Sequence, residues 1–324
     1  MLATAHRSRL LLGALIGLTL GGPPWLVTGC SRCAGGYHAP MPLASGVSGE
    51  LRGVGFSERG YFVAVGDAGL IAYKDDFDAR LVSVRPVSAD LYAVTPSAYD
   101  GEVIVVGAHG SMLTSTHGGA WTVVDVGTAN DLSAVLHVEE ASAAHAIAVG
   151  DEVIVVRDQD ADAWATLPPP GGGWGQLRGL HATAGRIHVV GLAGVVWSTD
   201  DPHGTWTRED SGTTEDLLAI GVNNAFDLFA VGANGTLLHA DPAGQWSPIQ
   251  IDVDVDLVDI DHDGVVLAAD GRLFRIDDAV TGVEPLFDVG ARSHALAFDG
   301  SVFVIAGEHG QMSTMLLGTT PQCD

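Results

Sequence analysis

Residues 228–239 read Leu-Phe-Ala-Val-Gly-Ala-Asn-Gly-Thr-Leu-Leu-His, two short apolar runs joined by a tight turn. Related turns follow an apolar run at six other places: Gly66-Asp-Ala-Gly69, Gly107-Ala-His-Gly110, Gly150-Asp-Glu, Gly191-Leu-Ala-Gly194, Ala268-Ala-Asp-Gly271 and Gly307-Glu-His-Gly310. Each is preceded by a leucine that opens a strand, in the series Leu51, Leu91, Leu132, Leu177, Leu217, Leu257 and Leu296. A repeat of about 40 residues containing several short strands is typical of a β-propeller.

The repeat predicts an all-β fold, a seven-bladed β-propeller of four-stranded antiparallel blades over residues 40–317. The final unit ends too early to supply its own fourth strand. Residues 40–48 lie at the same distance before Leu51 as the residues that begin at Trp206 lie before Leu217. In this alignment Ser45-Gly46 matches Ser211-Gly212. We therefore expect the N-terminal segment to complete the last blade and remove an open sheet edge.

The first 29 residues have the features of a leader. Arg7 and Arg9 precede an apolar core over residues 10–20, and Val27-Thr28-Gly29-Cys30 follows. This resembles a bacterial lipoprotein signal, in which the cysteine is acylated and becomes the new N-terminus. Ordinary secretion and a signal anchor are the alternatives, although Gly21-Gly22-Pro23-Pro24 would break an anchor helix. The expected organisation is a signal peptide over 1–29, a tether over 30–39, the propeller over 40–317 and a tail over 318–324.

Charge and cysteines limit the partners and the compartment. The formal net charge is −25, and every acidic residue follows the leader. Such a chain repels phosphate backbones, so we expect no nucleic-acid partner, whereas cationic ligands and basic protein surfaces are permitted. With Cys30 acylated, Cys33 and Cys323 remain at the two ends of an exported chain. Because exported compartments favour disulfides, we expect these two to pair, with two free thiols as the alternative.

The run from Asn223 to His239, followed by Trp246, resembles the repeat of sialidase-type (BNR-like) propellers. It is most similar to the branch that contains the photosystem II assembly and stability factors. Ser115–Trp121 and Ser198–Trp206 resemble degenerate copies of the Asp-box of that family. The resemblance implies a propeller whose repeat tryptophans pack in the core. It does not imply one function, because such propellers include hydrolases, assembly factors and binding scaffolds.

Two groups of residues are candidate sites. Asp259, Asp261 and Asp263 are spaced like the ligands of a calcium loop, although the repeat assigns them to a strand and an ordinary hairpin turn. Ca²⁺ is therefore a possible ligand, and no other cofactor is expected. The turns between second and third strands should gather on one face, where they form a polar rim of Asp67, His109, Asp151, Glu152, Asn234, Asp270 and His309. This rim could bind a cation or a basic peptide, or it could consist of solvated turn residues.

The chain contains none of the common nucleophile, zinc or phosphate-loop motifs. We therefore expect a non-catalytic binding scaffold in the bacterial envelope, a monomer that faces the periplasm or the cell surface, with the outer membrane favoured. Its partner would be an envelope protein or a cationic ligand, and the lipid on Cys30 would be its only membrane contact. The alternatives are a divergent glycoside hydrolase or lyase with its site at the central channel, and a calcium-stabilised structural protein.

Overall fold

The computed structural model describes residues 37–56, 62–74, 81–97, 101–138, 144–158, 161, 163–261 and 263–316. Within these residues the chain forms seven four-stranded antiparallel sheets. The all-β, seven-bladed β-propeller is therefore confirmed. No helix of the described residues is both long enough and apolar enough to cross a membrane.

The strands follow one another in chain order, and we name those of each blade a to d in the order of pairing, a being innermost. Strand β1 (Met41–Leu43) comes first. Blade 1 then contains β2 (Leu51–Phe56), β3 (Phe62–Gly66), β4 (Leu70–Lys74) and β5 (Val82–Val84). Blade 2 contains β6 (Leu91–Pro96), β7 (Glu102–Gly107), β8 (Met112–Thr116) and β9 (Thr122–Val124). Blade 3 contains β10 (Leu132–His137), β11 (Ala144–Gly150), β12 (Val153–Asp158) and β13 (Ala165–Thr166).

Blade 4 contains β14 (Leu177–Thr183), β15 (Arg186–Gly191), β16 (Val195–Thr199) and β17 (Thr207–Asp210). Blade 5 contains β18 (Leu217–Val222), β19 (Leu228–Gly232), β20 (Leu237–Ala240) and β21 (Trp246–Pro248). Blade 6 contains β22 (Leu257–Ile260), β23 (Val265–Ala268), β24 (Arg272–Ile276) and β25 (Val283–Asp288). Blade 7 contains β26 (Ser293–Phe298), β27 (Val302–Gly307) and β28 (Met312–Leu316), with β1 as its strand d.

The last blade closes as the sequence predicts. Strand β1 pairs with β28, and Met41 lies opposite Thr314. The proposed match of the two Ser-Gly pairs is also confirmed, because each serine makes the same contact. The hydroxyl of Ser45 donates to the carbonyl oxygen of Gly310 at 2.6 Å, and that of Ser211 donates to the carbonyl oxygen of Gly194 at 2.8 Å. The N-terminal segment thus repeats the geometry of an ordinary strand d and its following turn.

One predicted strand opening was wrong. In blade 7 the residue that pairs with the final glycine of strand b is Ser293, the counterpart of Leu51 in blade 1. Leu296 lies three residues further along the strand, where blade 1 has Val54. Ser293 is polar and so does not match the apolar pattern of the other openers, although it is buried and its hydroxyl donates to the carbonyl oxygen of Ala291 at 3.1 Å. The other six leucines each begin strand a of their blade.

The core lies between blades rather than at one centre. The side chains of neighbouring blades form separate buried clusters, such as the one that joins Val190 and Val196 of blade 4 to Leu217, Ala230 and Leu238 of blade 5. Strand b is buried along its whole length in several blades, β19 among them, whereas β17 is largely exposed. Burial is therefore greatest inside each blade, at strand b, and decreases towards the outer strand.

Adjacent blades are also joined by aspartates that lie immediately before strand a. The carbonyl oxygen of Asp256 accepts a hydrogen bond from Ala269 N of its own blade at 2.8 Å, and its Oδ1 accepts one from Asn234 N of blade 5 at 3.0 Å. Asp90, Asp131 and Asp216 make the same pair of contacts. Each of these junction aspartates fixes the turn between strands b and c, here called the b–c turn, in two blades at once.

The glycines of the b–c turns allow the backbones at the junction to approach closely. A Cβ added to Gly232 would collide with the carbonyl oxygen of Asp216, and one added to Gly235 would collide with that of Val253. Gly235 also has a φ of +70°. The turn therefore needs glycine for both conformation and space.

We expect Gly235→Ala to destabilise the protein by at least about 3 kcal/mol, because the new methyl group must displace the connection to blade 6. Gly212→Ala is the matched control, since Gly212 has a φ of +71° but no atom within 4 Å of its added Cβ. This control should cost only about 1–2 kcal/mol, from left-handed strain alone. Urea unfolding of both variants measures the difference, and equal losses would show that the close approach does not constrain the junction.

Candidate functional site

The inner strands build a ring of side chains around the central channel. In every blade the pairing of strands a and b shifts register just after the first residue of strand a. Such a bulge redirects the extra residue. The seven redirected residues line a cavity of about 240 Å³ and are Arg52, Tyr92, Ser133, Arg178, Leu218, Val258 and His294. We call this set the channel ring.

One side of the channel ring is an ion-paired and aromatic cluster. The Nε of Arg52 lies 2.7 Å from Oδ1 of Asp67, and its Nη2 lies 3.2 Å from Oε2 of Glu50. The same guanidinium lies 6.0 Å from the centre of the Tyr92 ring. Burial, together with the nearby carboxylate of Asp131, raises the pKa of Tyr92. The phenol therefore stays protonated near neutral pH, which does not favour a tyrosine nucleophile.

Arg178, the second arginine of the channel ring, is also paired with an acidic side chain. Nη1 of Arg178 contacts Oδ1 of Asp151 at 2.7 Å and the hydroxyl of Ser133 at 3.1 Å. Its Nη2 donates to Oε1 of Gln176 at 3.3 Å. Both arginines of the channel ring are thus neutralised by acidic side chains from the b–c turns. The mouth of the channel is a paired network rather than an exposed patch of one sign.

The seven predicted rim residues all lie at b–c turns, but their side chains differ in their surroundings. Asp67 and Asp151 bind the channel arginines. Asp270 pairs with Arg272 at 2.8 Å, and Asn234 donates to Oε2 of Glu215 at 2.8 Å. Three side chains extend into solvent. Glu152 is exposed, and His109 and His309 are 84% and 87% exposed. The rim therefore offers a few projecting groups on a rigid backbone.

The calcium candidates lie where the repeat placed them. Asp259 belongs to strand β22, and the turn after it is closed by a hydrogen bond from Gly264 N to the carbonyl oxygen of Asp261 at 2.9 Å. Within the described residues no group of three acidic, histidine or cysteine side chains is arranged to hold a metal ion. The predicted site at Asp259, Asp261 and Asp263 gains no support from this geometry.

Asp259 instead bridges two blades at the channel wall. In the other six blades the corresponding position of strand a, directly after the bulge, holds a small residue. These residues are Gly53, Ala93, Ala134, Gly179, Ala219 and Ala295. Oδ2 of Asp259 accepts a hydrogen bond from Leu296 N of blade 7 at 2.8 Å. Burial raises the pKa of Asp259 to about 7, against the opposing effect of this hydrogen bond and with a smaller contribution from Asp261.

Neither the channel ring nor the junction aspartates were predicted from the sequence. The ring residues directly follow the strand openers, but their types vary and the bulge leaves no trace in the sequence. The junction aspartates had a readable signal. An Asp-Leu pair begins strand a at residues 90–91, 131–132, 216–217 and 256–257. Cys30, Cys33 and Cys323 lie outside the described residues.

Comparisons with known proteins support the fold. No family model matches the chain, and no curated protein matches it. Among solved structures, YCF48 from Cyanidioschyzon merolae is 17% identical, with a TM-score of 0.66 and coverage of 86% of this chain and 98% of that one. A structure of YCF48 bound to D1 peptide is 15% identical, with a TM-score of 0.68 and coverage of 90% and 99%.

A catalytically inactive virginiamycin B lyase from Staphylococcus aureus, solved with quinupristin, is also similar. It is 15% identical, with a TM-score of 0.72 and coverage of 86% of this chain and 98% of that one. These neighbours are seven-bladed β-propellers and include the photosystem-II-factor type. Similarity at this level shows the fold alone. The sialidase-type repeat and the lipoprotein leader stay predictions.

The raised pKa of Asp259 predicts a pH-dependent stability. The folded state keeps a proton that the unfolded chain releases above about pH 4, so stability falls as pH rises from about 4 to 7. Asp259→Asn keeps an oxygen acceptor for Leu296 N and cannot ionise, while its amide nitrogen replaces the acceptor of Ile260 N, a loss that is the same at every pH. The free energy of unfolding of the original chain should fall between pH 5 and pH 8 by about 2–3 kcal/mol more than that of the variant.

Thermal unfolding at both pH values tests this expectation. Asp252→Asn is the control, because Asp252 is an exposed acidic residue in the connection that leads to blade 6. It should leave the pH profile unchanged. If Asp259→Asn retains the full pH dependence of the original chain, ionisation of Asp259 does not destabilise the fold.

Proposed function

We propose that this protein is a non-catalytic binding scaffold of the bacterial envelope, anchored by a lipid on Cys30, that presents its b–c turns to a protein partner. The rigidity of the rim carries this proposal. His109 and His309 project into solvent from turns whose backbones are hydrogen-bonded to the start of a strand a, so binding there orders little additional backbone.

The structure of YCF48 with D1 peptide supports this function by analogy, since a propeller of similar fold accommodates a polypeptide. The partner we propose is an envelope protein, with a cationic ligand as the alternative, and the scaffold acts as a monomer. Because the acidic side chains Asp67 and Asp151 are already paired with arginines, recognition at the rim would depend on the projecting side chains more than on net charge.

The enzymatic alternative has weaker support. The lyase among the structural neighbours shows that such a propeller can host catalysis. A glycoside hydrolase, however, needs two carboxyl groups that flank the substrate bond, commonly separated by about 5–10 Å. Among the described residues that line the central cavity, Asp259 is the only acidic one. The cavity therefore favours a scaffold.

Site-specific photo-crosslinking in cells tests the rim. A photoreactive amino acid at position 109 or 309 should give a discrete crosslinked product, because those side chains project from the proposed binding face. Position 123 is the control, since Val123 is 62% exposed on the outer strand of blade 2. Immunoblots that show the same products from all three positions, or none from the rim, would rule out this face.

The lipid anchor is tested separately. The original chain should incorporate radiolabelled palmitate and sediment with membranes, whereas Cys30→Ser should do neither, because the acylated thiol is removed. Cys33→Ser is the matched control and should remain anchored. An unlabelled original chain in the soluble fraction would contradict the anchor and leave the binding role of the propeller to be judged by crosslinking.

A further inference from the structure

A groove between blades 4 and 5 opens on the face opposite the b–c turns. Its walls are the turn between strands a and b of each blade, the exposed strand β17, and the turn at 241–245 of blade 5. Its volume is about 770 Å³, against about 240 Å³ for the central cavity. This volume is within the range of about 300–1,000 Å³ that is usual for ligand sites. We call it the blade 4/5 groove.

An aromatic side chain stands at the lip of this groove in an unfavourable conformation. Phe226 is 76% exposed and has a φ of +63°. In the corresponding turn of blade 7 the left-handed position is taken by Gly300. The left-handed region costs an L-residue about 1–2 kcal/mol. Exposure and backbone strain in one bulky residue are an unusual combination, and such combinations are found at functional sites.

The turn that carries Phe226 is rigid. Oδ1 of Asn223 accepts hydrogen bonds from Ala225 N and Asp227 N, both at 2.9 Å. Its Nδ2 donates to Oδ2 of Asp227 at 3.0 Å, and its carbonyl oxygen accepts from Phe226 N at 2.9 Å. The phenyl ring is therefore held on the outside by a network of hydrogen bonds, and little entropy would be lost if it contacted a ligand.

The groove also contains a buried polar side chain with a missing partner. His188 lines it, is 7% exposed, and its Nδ1 has no hydrogen-bond partner among the described residues. Burial lowers the pKa of this histidine, so the ring is neutral near pH 7. A buried polar atom without a partner costs about 1–3 kcal/mol. This Nδ1 is itself shielded from solvent, so His188 contributes a neutral, buried ring beneath the groove surface.

The charge of the groove selects a cation. Five acidic residues line it, Asp200, Glu209, Asp210, Asp227 and Asp241, against Arg186 and Arg208. Arg186 is already occupied, because it donates to Ser198 and pairs with Asp200 and Glu209, each at 3.5 Å. Arg208 lies over the ring of Trp197 at 5.7 Å. Asp200 pairs with Arg186 through Oδ1 at 3.5 Å, but it is 77% exposed, so its carboxylate can accept a second positively charged group.

The wall of the groove is preformed across the two blades. Glu209 of blade 4 accepts a hydrogen bond from Nε1 of Trp246 of blade 5 at 2.7 Å and one from the hydroxyl of Ser198. Strand β17 is the outer strand of its sheet, so one edge of its backbone has no pairing strand among the described residues. An extended chain can hydrogen-bond to such an edge, as in β-strand addition.

We propose that the blade 4/5 groove binds an extended polypeptide segment bearing lysine or arginine. The charged end would lie near Asp200 and Asp227, the apolar stem of the side chain would pack on Phe226, and the peptide backbone would pair with β17. This site is separate from the rim and lies on the opposite face. A scaffold with both sites would hold two polypeptides at once.

Fluorescence anisotropy with a labelled peptide of alternating serine and lysine tests the proposal. Alternation places all the lysines on one side of an extended strand. The lipid-free mature chain should bind this peptide and should bind the version with glutamate in place of lysine at least about tenfold more weakly. Phe226→Gly, which relieves the strained φ and removes the ring, should weaken binding at least about fivefold. Asp200→Asn should also weaken it, and Asp252→Asn should not.

Each result decides the proposal. Equal binding of the lysine and glutamate peptides, or unchanged affinity of Phe226→Gly, would overturn it. An equal loss with Asp252→Asn would show attraction to the net charge rather than to the groove. If lysine amide competes as strongly as the peptide at equal molar concentration, the ligand is a small amine and not a polypeptide, which overturns the proposal. None of these results depends on crosslinking at the rim, so this site and the proposed scaffold function can fail separately.

Discussion

The structure depends on the close approach of two backbones where a b–c turn meets the connection to the next blade, a contact that six of the seven turns make through a glycine. The second glycine of a b–c turn lies against a carbonyl oxygen of the connection that leads to the next strand a, as Gly235 does against Val253 and Gly310 against Val47. Four junction aspartates tie neighbouring turns together at the same place. Since hydrophobic clusters lie between blades, this contact determines how well each cluster can pack.

The same constraint explains the properties of the rim. A turn that is fixed on both sides has little freedom, so its central side chain must either reach a neighbour or project outward. Asp67 and Asp151 reach the arginines of the channel ring, whereas His109 and His309 project. The high net negative charge of the chain therefore does not translate into an acidic channel mouth. Asp67 and Asp151, two of the acidic rim residues that were predicted to attract a cation, are already paired with arginines.

The blades were predictable because their glycines, turns and apolar runs are local features with a fixed period. Even the closure by β1 followed from the spacing of Ser45-Gly46 against Ser211-Gly212. The candidate sites were less predictable, because they depend on bulges and on contacts between blades. Arg52 and Arg178 lie in different repeats of the sequence, yet the bulge directs both into one cavity. Phe226 lay within the most regular repeat, where neither its exposure nor its φ could be read.

The two faces of the propeller differ for a physical reason. On the rim face the turns are repeated, short and held at the junctions, so the surface varies only through single projecting side chains. The opposite face carries the turns between strands a and b and between strands c and d, which the junction contacts do not restrict. There the sequence is free to diverge in length and type, as at Phe226 and at 241–245. A cleft specific to one pair of blades can therefore form on that face, while the rim keeps the symmetry of the ring.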